Sequence, residues 1–347
     1  MEHPIRVFID TSKALFQLHG VNAAEQVVVR RQLRRSQVVE FFAKLSPTMV
    51  GLEACGGAHY WARELRKLGH DVRLVPPQYV KAYLKRNKND GRDAEAGCEA
   101  MSRPTMRFVP IKTEAAQAVQ MLAGVRQRLV RERTRLTNEI RGYAAEFGLV
   151  AAKGLDKIAP LLARIEADEG LPQLARGAFA ELGEELAGLQ AVIERAERRL
   201  MAWHRQDETS RRLSAIPGVG PVAAVMLTVK TPEPQAFGSG RDFAAWMGLT
   251  PKDHSTAGRS RLGVITRAGD EGLRAVLVSG AMSVIQQVKA GRRTPSPWLA
   301  ELLRHKEAKE AAVALANKTA RIAWKLMVSG QAYRPELERL ATMPDAA

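Results

Sequence analysis

Residues 5–10 are Ile5-Arg6-Val7-Phe8-Ile9-Asp10, a short run of β-favouring residues that ends on a carboxylate. Residues 49–53, Met49-Val50-Gly51-Leu52-Glu53, end in the same way. Short apolar runs of this kind predict buried strands. Further strands are predicted over residues 26–33 and 71–75, and helices over residues 36–45 and 60–68. This alternation predicts an α/β layer with a mixed sheet, in which the strand ends meet in one crevice.

Two more acids lie in a third segment, Lys88-Asn89-Asp90-Gly91-Arg92-Asp93-Ala94-Glu95-Ala96. The segment starts a predicted helix, and a spacing of three puts Asp90 and Asp93 on one face. Together with Asp10 and Glu53, these acids form a set of carboxylates that repel one another without a counter-charge. Mg²⁺ prefers oxygen ligands, and two ions about 4 Å apart stabilise both oxygens of an in-line phosphoryl displacement. The pattern predicts a two-magnesium nuclease site, and ordinary surface or helix-start acids are the alternative.

The composition indicates a polyanionic partner. The 347 residues include 53 Lys+Arg and 37 Asp+Glu, which gives a net charge of +16 and a pI of about 10.2. Nucleic acid is the expected partner. No long apolar run and no signal-peptide pattern is present, so a cytoplasmic protein without a membrane span is expected. The two cysteines, Cys55 and Cys98, lack the spacing of a zinc site or a disulfide framework.

Basic residues concentrate in two places. One group leads into the Asp90 segment and consists of Lys81, Lys85, Arg86 and Lys88. The other lies on the first long helix after the α/β region and includes Arg128, Arg131 and Arg135. Only Glu132 and Glu139 interrupt the second group, too few for a balanced salt-bridged face. Both groups are candidate phosphate-binding surfaces, and solvated helix faces are the alternative.

The chain is predicted to have three parts. Residues 1–112 form the α/β nuclease domain, residues 113–205 a helical arm, and residues 206–347 a mainly helical C-terminal domain. Apolar residues recur at helical spacing over long segments of the arm. This pattern predicts an antiparallel helical hairpin or coiled coil for oligomerisation, or a small helical bundle. A helix of about 30 residues spans roughly 45 Å, which could carry the C-terminal part to a neighbouring protomer.

Two features of the C-terminal part suggest phosphate contacts. The turn Ile216-Pro217-Gly218-Val219-Gly220 resembles a helix-hairpin-helix element, in which Gly218 and Gly220 would leave backbone N–H groups open to a phosphate. A plain turn between packed helices is the alternative. The segment His254-Ser255-Thr256-Ala257-Gly258-Arg259-Ser260-Arg261 places two serines in a basic loop. The cations around it are Arg259, Arg261, Arg267 and Arg274.

Either Ser255 or Ser260 could attack a phosphodiester, because nearby cations would lower the pKa of the hydroxyl and stabilise the pentacoordinate charge. A basic loop that only binds phosphate is the alternative. The tail over residues 308–340 reads as an amphipathic helix with a packing role.

Taken in order, these motifs resemble the DEDD transposases of the insertion sequence 110 family, most nearly its insertion sequence 1111 subgroup. The N-terminal motifs are Asp10 with Lys13, residues 51–57 around Glu53, residues 76–81 and residues 88–96. The C-terminal motifs are the turn at 216–220 and residues 254–270. The resemblance covers about residues 5–290. Gly91 stands where alanine is usual in the family, and Ala257 stands where glycine is more frequent.

The resemblance implies an RNase H-like fold of RuvC type, in which Asp10, Glu53, Asp90 and Asp93 hold Mg²⁺, with two ions per site. It implies Ser255 as the nucleophile that attacks a DNA phosphate. Family members use a structured RNA encoded by their own element to choose target and donor DNA. A homo-oligomer is also implied, a dimer or a tetramer built from two dimers.

Without the resemblance, other classes of function stay open. A Holliday-junction resolvase or structure-specific nuclease would need the four acids but not Ser255. A non-catalytic helix-hairpin-helix scaffold would need only the turn and the basic arm. An actin-like kinase would need glycine-rich phosphate loops that the sequence does not show.

Overall fold

The computed structural model describes residues 3–83, 90–256, 259 and 261–334, with the side chain of Asp90 outside the description. The chain divides into two compact units, Met1–Glu114 and Ala115–Ala347. The three-part division at residues 112 and 205 stays a prediction. Among the described residues, no helix has the length and apolar character needed to cross a membrane.

Unit 1 contains one five-stranded mixed sheet. Its strands are β1 (Arg6–Thr11), β2 (Leu15–Val21), β3 (Val27–Arg34), β4 (Met49–Glu53) and β5 (Asp71–Val75). The strand order is β3-β2-β1-β4-β5, with β1 antiparallel to β2, β2 antiparallel to β3, and β1, β4 and β5 parallel. The predicted α/β class and mixed sheet are confirmed, and the order is consistent with an RNase H-like fold.

Strand β2 was not predicted from the sequence. It follows β1 after only Ser12, Lys13 and Ala14, a connection without the glycine, proline or asparagine that usually marks a hairpin turn. The Ser12 hydroxyl closes this turn instead, by accepting a hydrogen bond from the backbone N–H of Leu15 at 3.2 Å.

Helices cover both faces of the sheet. The helices of unit 1 are α1 (Val38–Ala43), α2 (Ala58–Lys67), α3 (Pro77–Lys81) and α4 (Asp90–Met101). On one face, Val7 and Ile9 of β1 pack into a core that includes Phe42 of α1 and Trp61 of α2. On the other face, Phe8 packs with the apolar side of α4. This division follows from the two-residue period of a strand.

The contact between α4 and the sheet is close because two glycines lie at it. A Cβ atom at Gly97 would collide with the Phe8 ring, and one at Gly51 would lie 2.6 Å from the Met101 sulfur. The helix can therefore lie directly against the strands, which fixes where its first turn projects.

Unit 2 is mainly helical. Its helices are α5 (Glu114–Glu146, beginning at the last residue of unit 1), α6 (Ile158–Ala167), α7 (Gln173–Gln206), α8 (Glu208–Leu213), α9 (Pro221–Lys230), α10 (Gly240–Trp246), α11 (Glu271–Lys289), α12 (Pro297–His305) and α13 (Ala308–Ser329). A two-stranded hairpin, β6 (Pro251–Asp253) and β7 (Leu262–Ile265), lies between α10 and α11. The predicted tail helix is present as α13, and it ends at Gly330 in a left-handed cap.

Helices α5 and α7 run antiparallel. Arg126 pairs with Glu197 at 2.5 Å, and Arg133 donates to Gln190 at 2.7 Å. Residue numbers therefore increase along α5 as they decrease along α7. A small core, which includes Ile140, Ile158 and Phe179, joins the far end of this hairpin to α6.

The helical hairpin and the C-terminal helices of unit 2 share one core. Helix α7 returns along α5, and Val119 and Ala123 in the first turns of α5 belong to the same core as Leu213 and Leu273 of the C-terminal helices. The meeting of the carboxylate and serine sites between protomers stays a prediction.

Candidate carboxylate and serine sites

Asp10 and Glu53 lie side by side at the ends of neighbouring parallel strands. Ile9 pairs with Leu52 in the β1–β4 register, so Asp10 and Glu53 are the next pair along the two strands. Adjacent strands are about 4.8 Å apart and paired residues project to the same face. Both residues are half-buried.

That face is the one that α4 covers. Phe8 and Gly51 precede the two acids by two residues and both lie against α4. Side chains two residues apart on a strand share a face. Asp10 and Glu53 therefore project toward the side of the sheet on which α4 lies.

Asp93 approaches from α4. The Arg6 guanidinium, at the start of β1, hydrogen-bonds the Cys98 thiol, and Gly97 lies on Phe8 in the middle of the strand. The helix therefore runs opposite to β1, and Asp93 lies one turn before Gly97 on the same ridge. Its position is toward the strand ends that carry Asp10 and Glu53.

Asp93 and Glu53 have no hydrogen-bond or ion-pair partner among the described residues. Asp93 is only 8% exposed, and no residue that the structure describes donates a hydrogen bond to it or forms an ion pair with it. Glu53 likewise has no such described partner. A buried carboxylate without a counter-charge is costly, and metal coordination is one of the few ways to compensate for it. The oxygen-only donor set fits a hard divalent cation.

The side chains are not gathered at ligand distance. Within residues 3–83, 90–256, 259 and 261–334, no three acidic, histidine or cysteine side chains form a group able to hold a metal ion. The predicted fourth ligand, Asp90, begins α4, but its side chain lies outside the described atoms. The predicted phosphate contacts Lys85, Arg86 and Lys88 lie outside the described residues, whereas Lys81 is exposed at the end of α3.

A row of polar residues that the sequence analysis missed extends from Asp10 across the sheet. Asp10 pairs with Gln17, and Gln17 pairs with Gln32 of β3. Arg30 and Arg34 flank Gln32 at two-residue spacing and are exposed. The signal was present in the sequence, because Arg30, Gln32 and Arg34 are at every second position of the strand and therefore share one face.

Ser255 lies on an exposed hairpin. It follows β6 by two residues, and every residue of β6 is exposed. The backbone N–H of Ser255 donates to the Asp253 carboxylate at 2.8 Å, and the Ser255 hydroxyl oxygen accepts from the backbone N–H of Arg261 at 2.9 Å. Ser260, the other predicted nucleophile, lies outside the described residues.

The Ser255 hydroxyl also donates to Asp253. Together with the backbone N–H of Ser255, this hydrogen bond holds the pKa of the Asp253 carboxyl below its usual range. The hydroxyl oxygen is therefore fixed between an ionised acceptor and a backbone donor. Neither Asp253 nor the Arg261 N–H was identified from the sequence, because a two-residue Asp-x-Ser spacing is common in turns.

The base of the serine hairpin is held by close backbone contacts. Gly248 and Gly269 both have positive φ, +71° and +73°, and each lies where a Cβ atom would collide with the opposite loop. Arg267 adopts φ +57° between them, a conformation uncommon outside glycine, and its side chain is exposed. Arg274 donates to the backbone oxygens of Met247 and Ala268, and its contact with nucleic acid stays a prediction.

The turn at 216–220 is partly buried. Gly218 has φ +83° and lies against Gly280 of α11 with no room for a Cβ atom on either residue. Gly220 is exposed and precedes Pro221, the first residue of α9. Gly218 therefore serves helix packing in this structure, and the helix-hairpin-helix interpretation stays a prediction.

The arginines of α5 differ in whether they form ion pairs. Arg128 is exposed, and no described residue pairs with it. Arg131 is 3.9 Å from Glu271, and Arg135 lies near Glu132 at 3.2 Å and Glu139 at 3.5 Å. Arg135 is therefore ion-paired within its own helix, and the phosphate-binding role of these arginines stays a prediction.

Comparisons with known proteins agree with these features. A family profile of DEDD transposases of the IS110 type matches residues 7–147, and a profile described as the transposase IS116/IS110/IS902 family matches residues 210–295. A putative transposase y4pF/y4sB of Sinorhizobium fredii is 60% identical over 96% of this chain and 87% of its own length. The chain belongs to the IS110 family of transposases. The resemblance drawn from the motifs is thereby confirmed.

Two further relatives of this transposase align over nearly their whole length. A probable family 20 transposase of Pseudomonas aeruginosa is 48% identical over 95% of this chain and 98% of its own. The transposase for insertion sequence element IS1111A of Coxiella burnetii is 38% identical over 94% and 90%. The protein is therefore a DNA transposase, and DNA is its substrate.

Removing one carboxylate of the site should stop DNA cleavage without loss of binding. We expect Asp10→Asn, Glu53→Gln and Asp93→Asn to abolish strand cleavage, since each would remove a predicted metal ligand but no predicted phosphate contact. The control is Asp71→Asn, which changes an exposed acid paired with Arg73. Cleavage assays in Mg²⁺ and mobility-shift assays measure the two properties, and normal cleavage by the three variants contradicts the assignment.

The exposed arginines of α5 should contribute to the salt dependence of binding. Neutralising Arg128, Arg131 and Arg135 together should lower the log–log salt slope on duplex DNA by about 2.7, at about 0.9 for each phosphate contact. Arg126→Gln is the control, because that side chain is only 23% exposed, against 62% for Arg131 and 66% for Arg135. An unchanged slope in the triple variant means that these arginines do not contact phosphate.

Proposed function

We propose that this transposase is an RNA-guided recombinase that cuts and rejoins DNA through a serine nucleophile, assisted by a magnesium-bound carboxylate site. The observation that carries the nuclease part is the placement of Asp10, Glu53 and Asp93 toward one edge of the sheet. Guidance by a structured RNA rests on the resemblance to the family and on the net charge of +16.

The N-terminal unit is proposed to be an RNase H-like domain of RuvC type. The strand order and the antiparallel β1–β2–β3 meander joined to parallel β4 and β5 support this assignment. Asp10, Glu53, Asp90 and Asp93 would hold two magnesium ions. When bound, the ions would stabilise negative charge on the attacking and leaving oxygens of the phosphodiester.

The serine step is a phosphoryl transfer. The Ser255 oxygen would attack the DNA phosphorus, an O–P bond would form, and the bond to the 3′ oxygen would break. The hydroxyl proton would pass to solvent, and the leaving 3′ oxygen would take up a proton. The products would be a phosphoserine-linked 5′ end and a free 3′-hydroxyl, ready for strand exchange.

Asp253 and Arg261 would position the attacking oxygen. Because the pKa of the Asp253 carboxyl is lowered, it is a weak base, and we assign it to orienting the hydroxyl rather than to removing the proton. The backbone N–H of Arg261 fixes the oxygen from the other side. Phosphate groups would be held by side chains and backbone of Lys81, Lys85, Arg86, Lys88, Arg128, Arg131, Arg135, Gly218, Gly220, Arg259, Arg261 and Arg267.

Covalent attachment to DNA should depend on Ser255. Ser255→Ala should eliminate the protein–DNA adduct, whereas Ser260→Ala should retain it. Asp253→Asn should lower the rate of adduct formation about tenfold or more, because a misplaced nucleophile loses the benefit of orientation. Denaturing gels with labelled DNA measure the adduct. Attachment that survives Ser255→Ala but disappears in Ser260→Ala reverses the assignment.

Self-association is proposed through the helical hairpin of α5 and α7. Its far end exposes apolar side chains, with Tyr143 at 51%, Val150 at 73% and Leu174 at 87% exposure. Contiguous exposed apolar surface usually marks an interaction site. A dimer, or a tetramer formed from two dimers, would cover this surface.

A mixing experiment tests whether the assembled protomers share their sites. Asp10→Asn and Ser255→Ala proteins, each inactive alone, are combined, and recombination is measured on paired donor and target DNA with RNA transcribed from the element. We expect activity to return, because the intact carboxylate site of the Ser255→Ala protomer can then act with the intact serine of the Asp10→Asn protomer. If hetero-assembly is demonstrated and activity stays absent, both halves of the site belong to one chain.

A further inference from the structure

A groove lies at the end of the β1–β2 hairpin, beyond the carboxylate site. Its volume is about 650 Å³. The residues that line it are Ala14, Leu15, Arg34, Arg35, Ser36, Val39, Tyr60 and Trp61. None of the functions assigned above uses these side chains.

The register places the groove close to Asp10. Leu15 is two residues from Gln17, and Gln17 pairs with Asp10 across the β1–β2 ladder. With about 3.4 Å per residue along the strand and about 5 Å between strands, the Cα atoms of Leu15 and Asp10 are roughly 8 Å apart. Leu15 also pairs with Arg34, and both project to the face of the sheet that carries Asp10. Trp61 packs with Ile9 and Phe16 on the opposite face, so the groove lies around the end of the hairpin, between the two faces.

Two aromatic side chains, Tyr60 and Trp61, line the groove. Trp61 is 4% exposed and packs edge-on against Phe16, whose ring centroid is 5.1 Å away. Tyr60 is 45% exposed and lies edge-on to Trp61 at 5.2 Å. An exposed ring held in place by a buried one can stack against a flat ligand, and every nucleobase presents such a face.

Positive charge surrounds these rings. The Arg35 guanidinium lies over the Trp61 ring with its carbon 5.0 Å from the centroid. Arg34 and Arg35 are exposed, and neither forms an ion pair with an acid in the part of the chain that the structure describes. None of the described residues that line the groove is acidic. An aromatic ring beside unpaired arginines is the combination that binds single-stranded nucleic acid, with the ring on a base and the cations on phosphates.

We propose that this groove binds an unpaired nucleotide of the strand that enters the carboxylate site. Tyr60 stacks on its base, and Arg34 and Arg35 contact the adjoining phosphates. The proposal rests on the proposed function in one respect, that the bound strand is the one presented to the carboxylates. The strand can be DNA or guide RNA, because both offer the same base faces and phosphates.

Stacking is tested with oligothymidylate and oligouridylate that carry a central 2-aminopurine, whose fluorescence falls when it stacks on an aromatic ring. The full chain is titrated in EDTA, so that no chemistry occurs. We expect quenching with the wild type, and Tyr60→Ala should weaken the quenched complex roughly fivefold or more. Tyr60→Phe should restore it, since the ring and not the hydroxyl makes the contact.

The control is Tyr79→Ala, which removes another exposed tyrosine of unit 1 that does not line the groove. A loss on oligothymidylate alone assigns the groove to DNA, a loss on oligouridylate alone assigns it to guide RNA, and equal losses assign it to both. The proposal is overturned if Tyr60→Ala protein quenches both probes like the wild type, or if Tyr79→Ala causes the same loss.

Charge is tested separately with Arg34→Gln combined with Arg35→Gln. This variant should keep the quenching at saturation but lower the salt slope by about 1.4, at about 0.7 for each contact on a single strand. The adduct assay on the same proteins separates the two proposals. If quenching depends on Tyr60 but the wild type forms no adduct, the serine mechanism is overturned and the groove proposal stands. If the wild type forms the adduct but quenching does not depend on Tyr60, only the groove proposal is overturned.

Discussion

The contact of Gly97 with the Phe8 ring is the constraint on which the candidate carboxylate site depends. Because neither Gly97 nor Gly51 has a side chain, α4 lies directly on β1 and β4. The helix then runs opposite to β1, and its first turn, with Asp93, faces the strand ends that carry Asp10 and Glu53. A larger residue at position 97 would lift the helix and separate Asp93 from the other two acids.

The serine hairpin follows the same physical rule in unit 2. Gly248 and Gly269 allow two loops to approach backbone to backbone, and this fixes the base of an otherwise exposed hairpin. Asp253 and the Arg261 N–H then hold the hydroxyl of Ser255 in one orientation. In both units, residues without side chains position the residues that carry the proposed chemistry.

Much of this could be predicted from the sequence. Strand-terminal acids such as Glu53 were predictable because a carboxylate directly after an apolar run is a local signal, and the family motifs placed Ser255 in the loop. Strand β2 was missed because its turn lacks glycine, and the hairpin of β6 and β7 because its strands are short and exposed. The antiparallel return of α7 along α5 was only one of the alternatives that the sequence left open, since the choice depends on tertiary pairs such as Arg126 with Glu197. The Tyr60 groove was missed for the same reason, because its residues come from three separate segments.

Crystals of the transposase soaked in Mn²⁺ provide the most direct test of the carboxylate site, because anomalous diffraction locates the ion independently of activity. The account predicts anomalous peaks about 2.0–2.2 Å from carboxylate oxygens of Asp10, Glu53 and Asp93, since a hard divalent cation prefers such ligands. Crystals of the Asp93→Asn variant should lose at least one peak. Peaks elsewhere, or none at these residues in crystals of a preparation that cleaves DNA in Mn²⁺, would contradict the account.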